Sequence, residues 1–260
     1  MSTRILAIVN QKGGVGKTTT TINLAAALAK RGQSILMIDL DPQGNASTGL
    51  GVSKKSPDEN LFDVFVDNVP LEKIVKPTVV EGVDIAPSHM DMAGVEIEIS
   101  DKPDRAIRLK RAFENLTKHY DYILIDCPPS LNMLTINALT AARSVLVPLQ
   151  CEFFALEGLS QLLKTVEMAK ANLNDSLTID GVMLTMYDKR NRLSAQVAAD
   201  VRKHLGRAVF KTMIPRNVRV AEAPSFGRPV ISYAPNSAGS KAYMQLADEM
   251  LLRHRKAKNK

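Results

Sequence analysis

The run Ile5 to Thr21, I-L-A-I-V-N-Q-K-G-G-V-G-K-T-T-T-T, constrains the fold more than any other stretch of the chain. An apolar segment, Ile5 to Val9, passes into a loop holding Gly13, Gly14 and Gly16, and a helix-compatible segment from Lys17 to Lys30 follows at once. Glycines let the backbone wrap so that successive N–H groups point at one anion, and the helix start adds partial positive charge. Gly13, Gly14, Val15, Gly16, Lys17, Thr18 and Thr19 therefore read as a phosphate-binding loop. Lys17 reaches the β- and γ-phosphates there, and the Thr18 hydroxyl ligates Mg²⁺ directly. Gln11 stands where the G-x-x-x-x-G-K-[ST] pattern has its first glycine, and Lys12 comes next. A glycine-rich turn between strand and helix can be only a turn, but the strand signal before it and the helix signal after it are the context that the phosphate reading requires.

Two carboxylate elements follow in the order a phosphate loop calls for. Ser34 to Ile38 reads as a strand ending in Asp39-Leu40-Asp41-Pro42-Gln43, and Tyr122 to Ile125 as a buried strand ending in Asp126. Ligands of open α/β sheets bind at the carboxyl ends of strands. Asp126 is placed to hold the hydration shell of Mg²⁺, an ion that keeps several waters and takes few direct protein ligands. Asp41 either serves the chemistry or is structural, opening a turn before Pro42 or capping a helix.

The string K-G-G-V-G-K-T, with its extra lysine, resembles the deviant Walker A motif of the ParA/MinD family of dimerising ATPases. The likeness implies that ATP is sandwiched between two subunits, with Lys12 reaching across to the partner's nucleotide. D-x-D-P-Q resembles the family's switch I, which implies that Asp41 positions the attacking water, and Asp126-Cys127-Pro128-Pro129-Ser130 resembles its switch II. The Pro215-Arg216-Asn217 loop resembles the one that holds adenine, which implies that Pro215 and Asn217 lie beside the base. Val220 to Pro229, V-A-E-A-P-S-F-G-R-P, is similar to the chromosome-partitioning, ParA/Soj, branch and untypical of MinD. That branch implies a homodimer that forms with ATP and Mg²⁺, binds double-stranded DNA without sequence preference and is released by a ParB-like centromere-binding protein. It also implies a bacterial, nucleoid-associated location. The chain begins just before the first strand, so the short form without an N-terminal helix-turn-helix is expected.

The alternation of strand and helix signals predicts one doubly wound α/β domain over 1–260, of P-loop NTPase type, with a mainly parallel sheet and helices on both faces. Helices are expected at 61–65, 71–75, 104–119, 131–142, 155–172, 193–205 and 240–252, and strands at 83–87, 144–149, 179–185 and 209–214. Residues 44–60 read as a surface loop, 88–103 carry no clear signal, and 253–260 read as a basic polar tail. Arg105, Arg108, Lys110 and Arg111 are expected on a solvated helix surface.

Charge narrows the partners. The net charge is +7, but residues 186–219 hold nine Lys or Arg against Asp188 and Asp200, and the tail adds five more cations, so the remainder is net negative. Such polarity points to a polyanion. Arg190 and Arg219 match positions that the family uses for DNA, and Lys203, Arg207 and Lys211 are plausible neighbours, although a charge run is usually a solvated face. Cys127 and Cys151 have no C-x-x-C spacing and read as buried thiols rather than metal ligands or a disulfide. No run of about 18 apolar residues occurs, nor does a leader h-region, so a cytoplasmic, non-membrane protein is expected. The alternative is a MinD-like positioning ATPase that binds a membrane surface through the apolar side of the last helix, a side better suited to packing on the sheet. A metabolic ligase on the same loop would need a second catalytic constellation, and no G-x-S-x-G or ligand-spaced His pair is present.

Overall fold

The structure is a computed structural model that describes residues 3–53 and 60–258. The strands are β1 (Arg4–Ile8), β2 (Ile35–Asp39), β3 (Lys76–Pro77), β4 (Val83–Ala86), β5 (Tyr122–Asp126), β6 (Ser144–Gln150), β7 (Thr178–Tyr187) and β8 (Val209–Pro215). They form one sheet in the order β3-β4-β2-β5-β1-β6-β7-β8. All neighbours pair in parallel except β3 and β4. The longer helices are α1 (Lys17–Ala29), α7 (Met133–Ala141), α8 (Ala155–Asn172), α9 (Arg192–Leu205) and α12 (Ala238–Lys258). The shorter ones are α2 (Asn45–Gly49), α3 (Leu61–Val66), α4 (Leu71–Ile74), α5 (Val95–Glu98), α6 (Arg108–Glu114), α10 (Val218–Glu222) and α11 (Val230–Tyr233).

Parallel strands need crossover helices, and these cover both faces of the sheet, which is why the strands read as continuous apolar runs rather than alternating ones. Successive side chains of each strand enter opposite cores. Ala7 of β1 and Ile123 and Ile125 of β5 pack with α3 to α9, whereas Leu6 and Ile8 of β1 and Leu124 of β5 pack with α1, α11 and α12. The chain winds outward from β1 in both directions, toward β2 on one side and β6 on the other. The crevice where the direction reverses lies at the carboxyl end of β1, where the glycine loop begins.

Four expectations give way. Residues 44–60 are not all surface loop, because α2 lies within them and buries Ala46 and Ser47; Ser47 is drawn inward by two hydrogen bonds to Asp39 Oδ2, from its N–H at 2.8 Å and its hydroxyl at 2.7 Å. Residues 54–59 of that stretch lie outside the described residues. The helix at 104–119 shrinks to α6, since Asp104 turns back to bind Arg108 and Arg111 and the segment before Arg108 runs as turns. Arg108 is buried rather than solvated and donates to the Phe65 carbonyl at 2.6 Å. The tail is helix through Lys258, because His254 is gripped between the Tyr122 hydroxyl, 2.8 Å from Nδ1, and Asp180 Oδ1, 2.7 Å from Nε2. Within 88–103, a short 3₁₀ turn (Met90–Gly94) and α5 appear, with Met92 packed in the core and Met90 exposed. The apolar side of α12 packs as expected: Tyr243, Leu246, Ala247 and Met250 are buried.

Candidate functional site

The glycine loop is built to leave its donors free. Gly14 and Gly16 hold φ values of 75° and 90°, a left-handed backbone that side-chain-bearing residues adopt at a cost. Gly16 is the N-cap of α1 and supplies no side-chain acceptor, so the first N–H groups of the helix face outward unpaired by a cap. Neighbours fix the loop from outside. Asn10 donates to the Pro148 carbonyl at 2.8 Å and accepts from the Lys12 N–H at 3.0 Å, while the Thr185 hydroxyl of β7 donates to the Val15 carbonyl at 2.9 Å. Lys17 folds back so that Nζ donates to the Lys12 carbonyl at 3.1 Å. Burial lowers the Lys17 pKa, opposed by the charges of Asp126, Cys127 and Asp41.

Beside the start of α1 stand two carboxylates, not one. Asp39 ends β2 and Asp126 ends β5, and the two residues pair across the strands. Both are fully buried. Asp126 accepts from the Thr21 hydroxyl at 3.2 Å and Asp39 from Ser47, yet Asp126 Oδ2 and Asp39 Oδ1 are buried with no partner among the described residues. Desolvation raises both pKa values; the charges of Asp39 and Asp41 add to the rise at Asp126 against the Thr18 and Thr21 hydroxyls, and at Asp39 the hydrogen bonds from Ser47 oppose the rise while the Asp41 charge adds to it. Adjacent buried carboxylates with one orphaned oxygen each are costly unless a cation is held nearby. The donor set is all oxygen, with hydroxyls at Thr18 and Thr21, and fits a hard, hydrated divalent ion such as Mg²⁺.

Asp41 sits half-buried just beyond, its Oδ1 accepting the Gln43 N–H at 2.9 Å in a tight turn that also joins the Gly44 N–H to the Asp41 carbonyl. The turn reading of Asp41 is therefore correct as local structure, and it leaves Oδ2 available. Lys12 projects from the loop with its side chain about half exposed and forms an ion pair with Glu152, which follows β6. Phe153 and Phe154 stand next to that pair, 74% and 61% exposed and packed edge to face with ring centroids 5.1 Å apart.

Residues 3–179 match the AAA domain family. The chain is 55% identical over 254 residues to the chromosome partitioning protein ParA of Caulobacter vibrioides, which covers 97% of this chain and 95% of that one. It is 53% identical over 247 residues to the sporulation initiation inhibitor protein Soj of Bacillus subtilis, covering 95% and 98%. The chain belongs to the ParA/Soj family of chromosome-partitioning ATPases. Among solved structures it resembles cobyrinic acid a,c-diamide synthase from Mycobacterium smegmatis with bound ADP and magnesium, at a TM-score of 0.85 and 38% identity over 98% of this chain and 96% of that one.

The remaining candidate residues of this ParA/Soj chain fall into two groups. Pro215 ends β8 and Asn217 caps α10, its side-chain oxygen accepting the Arg219 N–H at 3.0 Å. Arg190, beyond β7, and Arg219, beyond β8, thus lie at the same carboxyl edge of the sheet as the glycine loop. Both are exposed and both are held by nearby acids, Arg190 by Asp188 of its own loop at 3.1 Å and Arg219 by Glu222 within α10 at 2.9 Å. Lys203 lies in the last turns of α9 and Arg207 just before β8, with Lys211 early in that strand. A seven-residue strand spans roughly 20 Å, so β8 separates Arg207 from the Arg219 end of the molecule. The two cysteines are buried free thiols, and burial raises the pKa of each.

Asp39 is the candidate site residue that the sequence reading did not single out, having favoured Asp41. Its signal was the last position of an unbroken apolar strand, the same signal that identified Asp126.

Proposed function

We propose that this chain is an ATP-dependent, dimerising DNA-partitioning ATPase that grips DNA without sequence preference and is released when a ParB-like partner stimulates hydrolysis. The observation that supports it most is the pair of buried, half-satisfied carboxylates Asp39 and Asp126 beside an uncapped helix start and Lys17. In this reading the loop N–H groups of residues 13–19 and Lys17 bind the phosphates, Thr18 ligates Mg²⁺, and Asp126 and Asp39 hold its waters. Mg²⁺ supplies charge neutralisation at the β- and γ-phosphate oxygens. Asp41 orients the attacking water, since phosphoryl transfer asks mainly for positioning. Pro215 and Asn217 border the base.

Lys12 has to leave Glu152 to reach a partner's nucleotide. Its exposed position makes that exchange inexpensive, because a solvated ion pair contributes at most about 1 kcal/mol. The exposed Phe153 and Phe154 at the same mouth offer apolar surface for a second copy to cover.

Arg190 and Arg219 would displace counterions from duplex phosphates, and Lys203, Arg207 and Lys211 extend that field along the β8 side. The amide synthase named for the Mycobacterium neighbour is the weaker guide, at 38% identity against 55% and 53% for the partitioning proteins. A membrane-surface role through α12 is disfavoured because its apolar side is already buried against α1 and β8. No helix among the described residues is long and apolar enough to cross a membrane.

The test is electrophoretic retention of unrelated duplex DNA with ATP, with ADP and with no nucleotide, at two salt concentrations. Retention with ATP alone, weakening steeply with salt, is expected. Equal retention in all three nucleotide states refutes the reading, and ATP-dependent sedimentation with anionic vesicles in place of DNA transfers it to the membrane alternative.

A further inference from the structure

Part of the C-terminal positive charge lies far from the proposed DNA face. The last turns of α12 run past the end of the sheet where the strands begin, opposite the glycine loop. A cavity of about 1000 Å³ opens there between the starts of β1, β5, β6 and β7, the end of α7 and residues 251–257. Small-molecule sites commonly fall between roughly 300 and 1000 Å³.

Arg4, Lys110, Arg143, Arg253 and Arg255 line this cavity. Two of them are committed elsewhere: Arg4 donates to the His254 carbonyl at 3.2 Å, and Arg253 pairs with Glu249 and lies 3.9 Å over the Phe210 ring. Lys110, Arg143 and Arg255 are exposed, come from three separate parts of the fold, and have no counter-charge among the described residues. Two carboxylates also line the wall: Asp121 accepts the Ser34 N–H at 2.9 Å, and Asp180 meets His254 through Oδ1 while its Oδ2 is buried without a partner among the described residues.

The same cavity has a polar floor. Tyr122, His254 and Asp180 form a buried hydrogen-bonded chain joining β5, α12 and β7, with the Tyr122 and His254 rings stacked. The hydroxyls of Ser144, Ser176 and Thr178 add to the wall. Cations that line one cavity without ion-pair partners repel one another, and an anion bound in that cavity reduces the repulsion. Guanidinium groups match phosphate oxygens in paired hydrogen bonds.

We propose that this cavity is a second ligand site, distinct from the glycine loop, for a phosphorylated small molecule of about nucleotide size. Lys110, Arg143 and Arg255 bind its phosphates, and the hydroxyl-bearing wall receives the uncharged part. The site does not depend on the DNA reading, and a test with the glycine loop already filled keeps the two apart.

The probe is inorganic tripolyphosphate, titrated calorimetrically into the protein saturated with ADP in excess magnesium. One further equivalent should bind. The double variant Arg143→Glu with Arg255→Glu should weaken it by about tenfold or more, with ADP affinity unchanged. Both side chains are exposed, so folding is spared, and Lys110→Glu provides an independent variant with the same expected direction. If no further equivalent binds, or if the variants bind it as tightly as the parent, the site is overturned. Duplex DNA retention by the double variant should match the parent; a loss in step with tripolyphosphate would overturn the small-molecule reading in favour of the DNA backbone.

Discussion

Replacing Asp126 by Asn removes a buried charge while keeping the shape of the side chain. Burial, with Asp39 alongside, pushes the Asp126 carboxyl up to about 8 and that of Asp39 up to about 6. An ordinary carboxyl titrates near 4, and each decade of proton affinity corresponds to about 1.4 kcal/mol. The displacement belongs to the coupled pair rather than to either carboxyl, so removing one charge is worth on the order of 3 kcal/mol.

The sign follows from the direction of the shift. A raised carboxyl pKa means that the folded protein holds the proton more tightly than the unfolded chain, so the parent loses stability as pH climbs from about 4 to about 8. Asn escapes that loss. In thermal melts without metal or nucleotide, the variant should match the parent near pH 4, gain on it as pH rises, and level off above pH 8. At roughly 2 °C per kcal/mol for a chain of this size, its melting point should there be about 6 °C higher.

Addition of ADP and magnesium at about a hundred times the dissociation constant should stabilise the parent by about 2.7 kcal/mol and the variant by much less. A variant less stable than the parent at pH 8.5 without metal, or one that gains the full stabilisation from magnesium and ADP, refutes the assignment of this pair as a cation site.

Other substitutions address the remaining parts of the site. Asp41→Ala should keep ATP binding and ATP-dependent dimerisation while turnover falls by about a hundredfold; hydrolysis at the parent rate would remove Asp41 from the chemistry. Arg219→Glu should abolish most DNA retention and spare dimerisation, and unchanged retention would exclude that residue. Glu222→Gln frees Arg219 from its exposed ion pair and should raise DNA affinity by about two- to threefold, as befits a solvated contact; a fall in affinity would show that Glu222 orients Arg219 rather than competing for it. Leu246→Ala opens a hole between α12, α1 and β8 and should cost about 2–5 kcal/mol in urea unfolding. A cost below about 1 kcal/mol would mean that α12 is not part of the core.

The parallel sheet was legible because its central strands are buried on both faces and so appear as short apolar runs such as Y-I-L-I before Asp126. Long crossover helices were equally clear, and α8 has the limits its periodicity predicts, Ala155–Asn172. What escaped was local structure decided by distant polar contacts. Asn45 to Gly49 is rich in loop-forming residues, and only the carboxylate of Asp39 explains why Ser47 turns inward and a helical turn forms. Arg108 looks like any helix-surface arginine until the carbonyl of Phe65, more than forty positions earlier, is brought beside it.

The tail illustrates the same limit. R-H-R-K-A-K, residues 253–258, has no apolar stripe, and its helix is held by His254 reaching Tyr122 and Asp180, a contact that no local pattern encodes. In the candidate site, the glycine loop and Asp126 carry local sequence signals, whereas the pairing of Asp39 with Asp126 became visible only once strand register set them side by side.

Mass by multi-angle light scattering tests the central claim most directly, with the Asp41→Ala variant included so that hydrolysis cannot drain the bound state. With ATP and Mg²⁺ the variant should elute at twice the mass of the 28.4 kDa chain, and with ADP or no nucleotide at the single mass. A single mass under every condition, for variant and parent alike, contradicts the account.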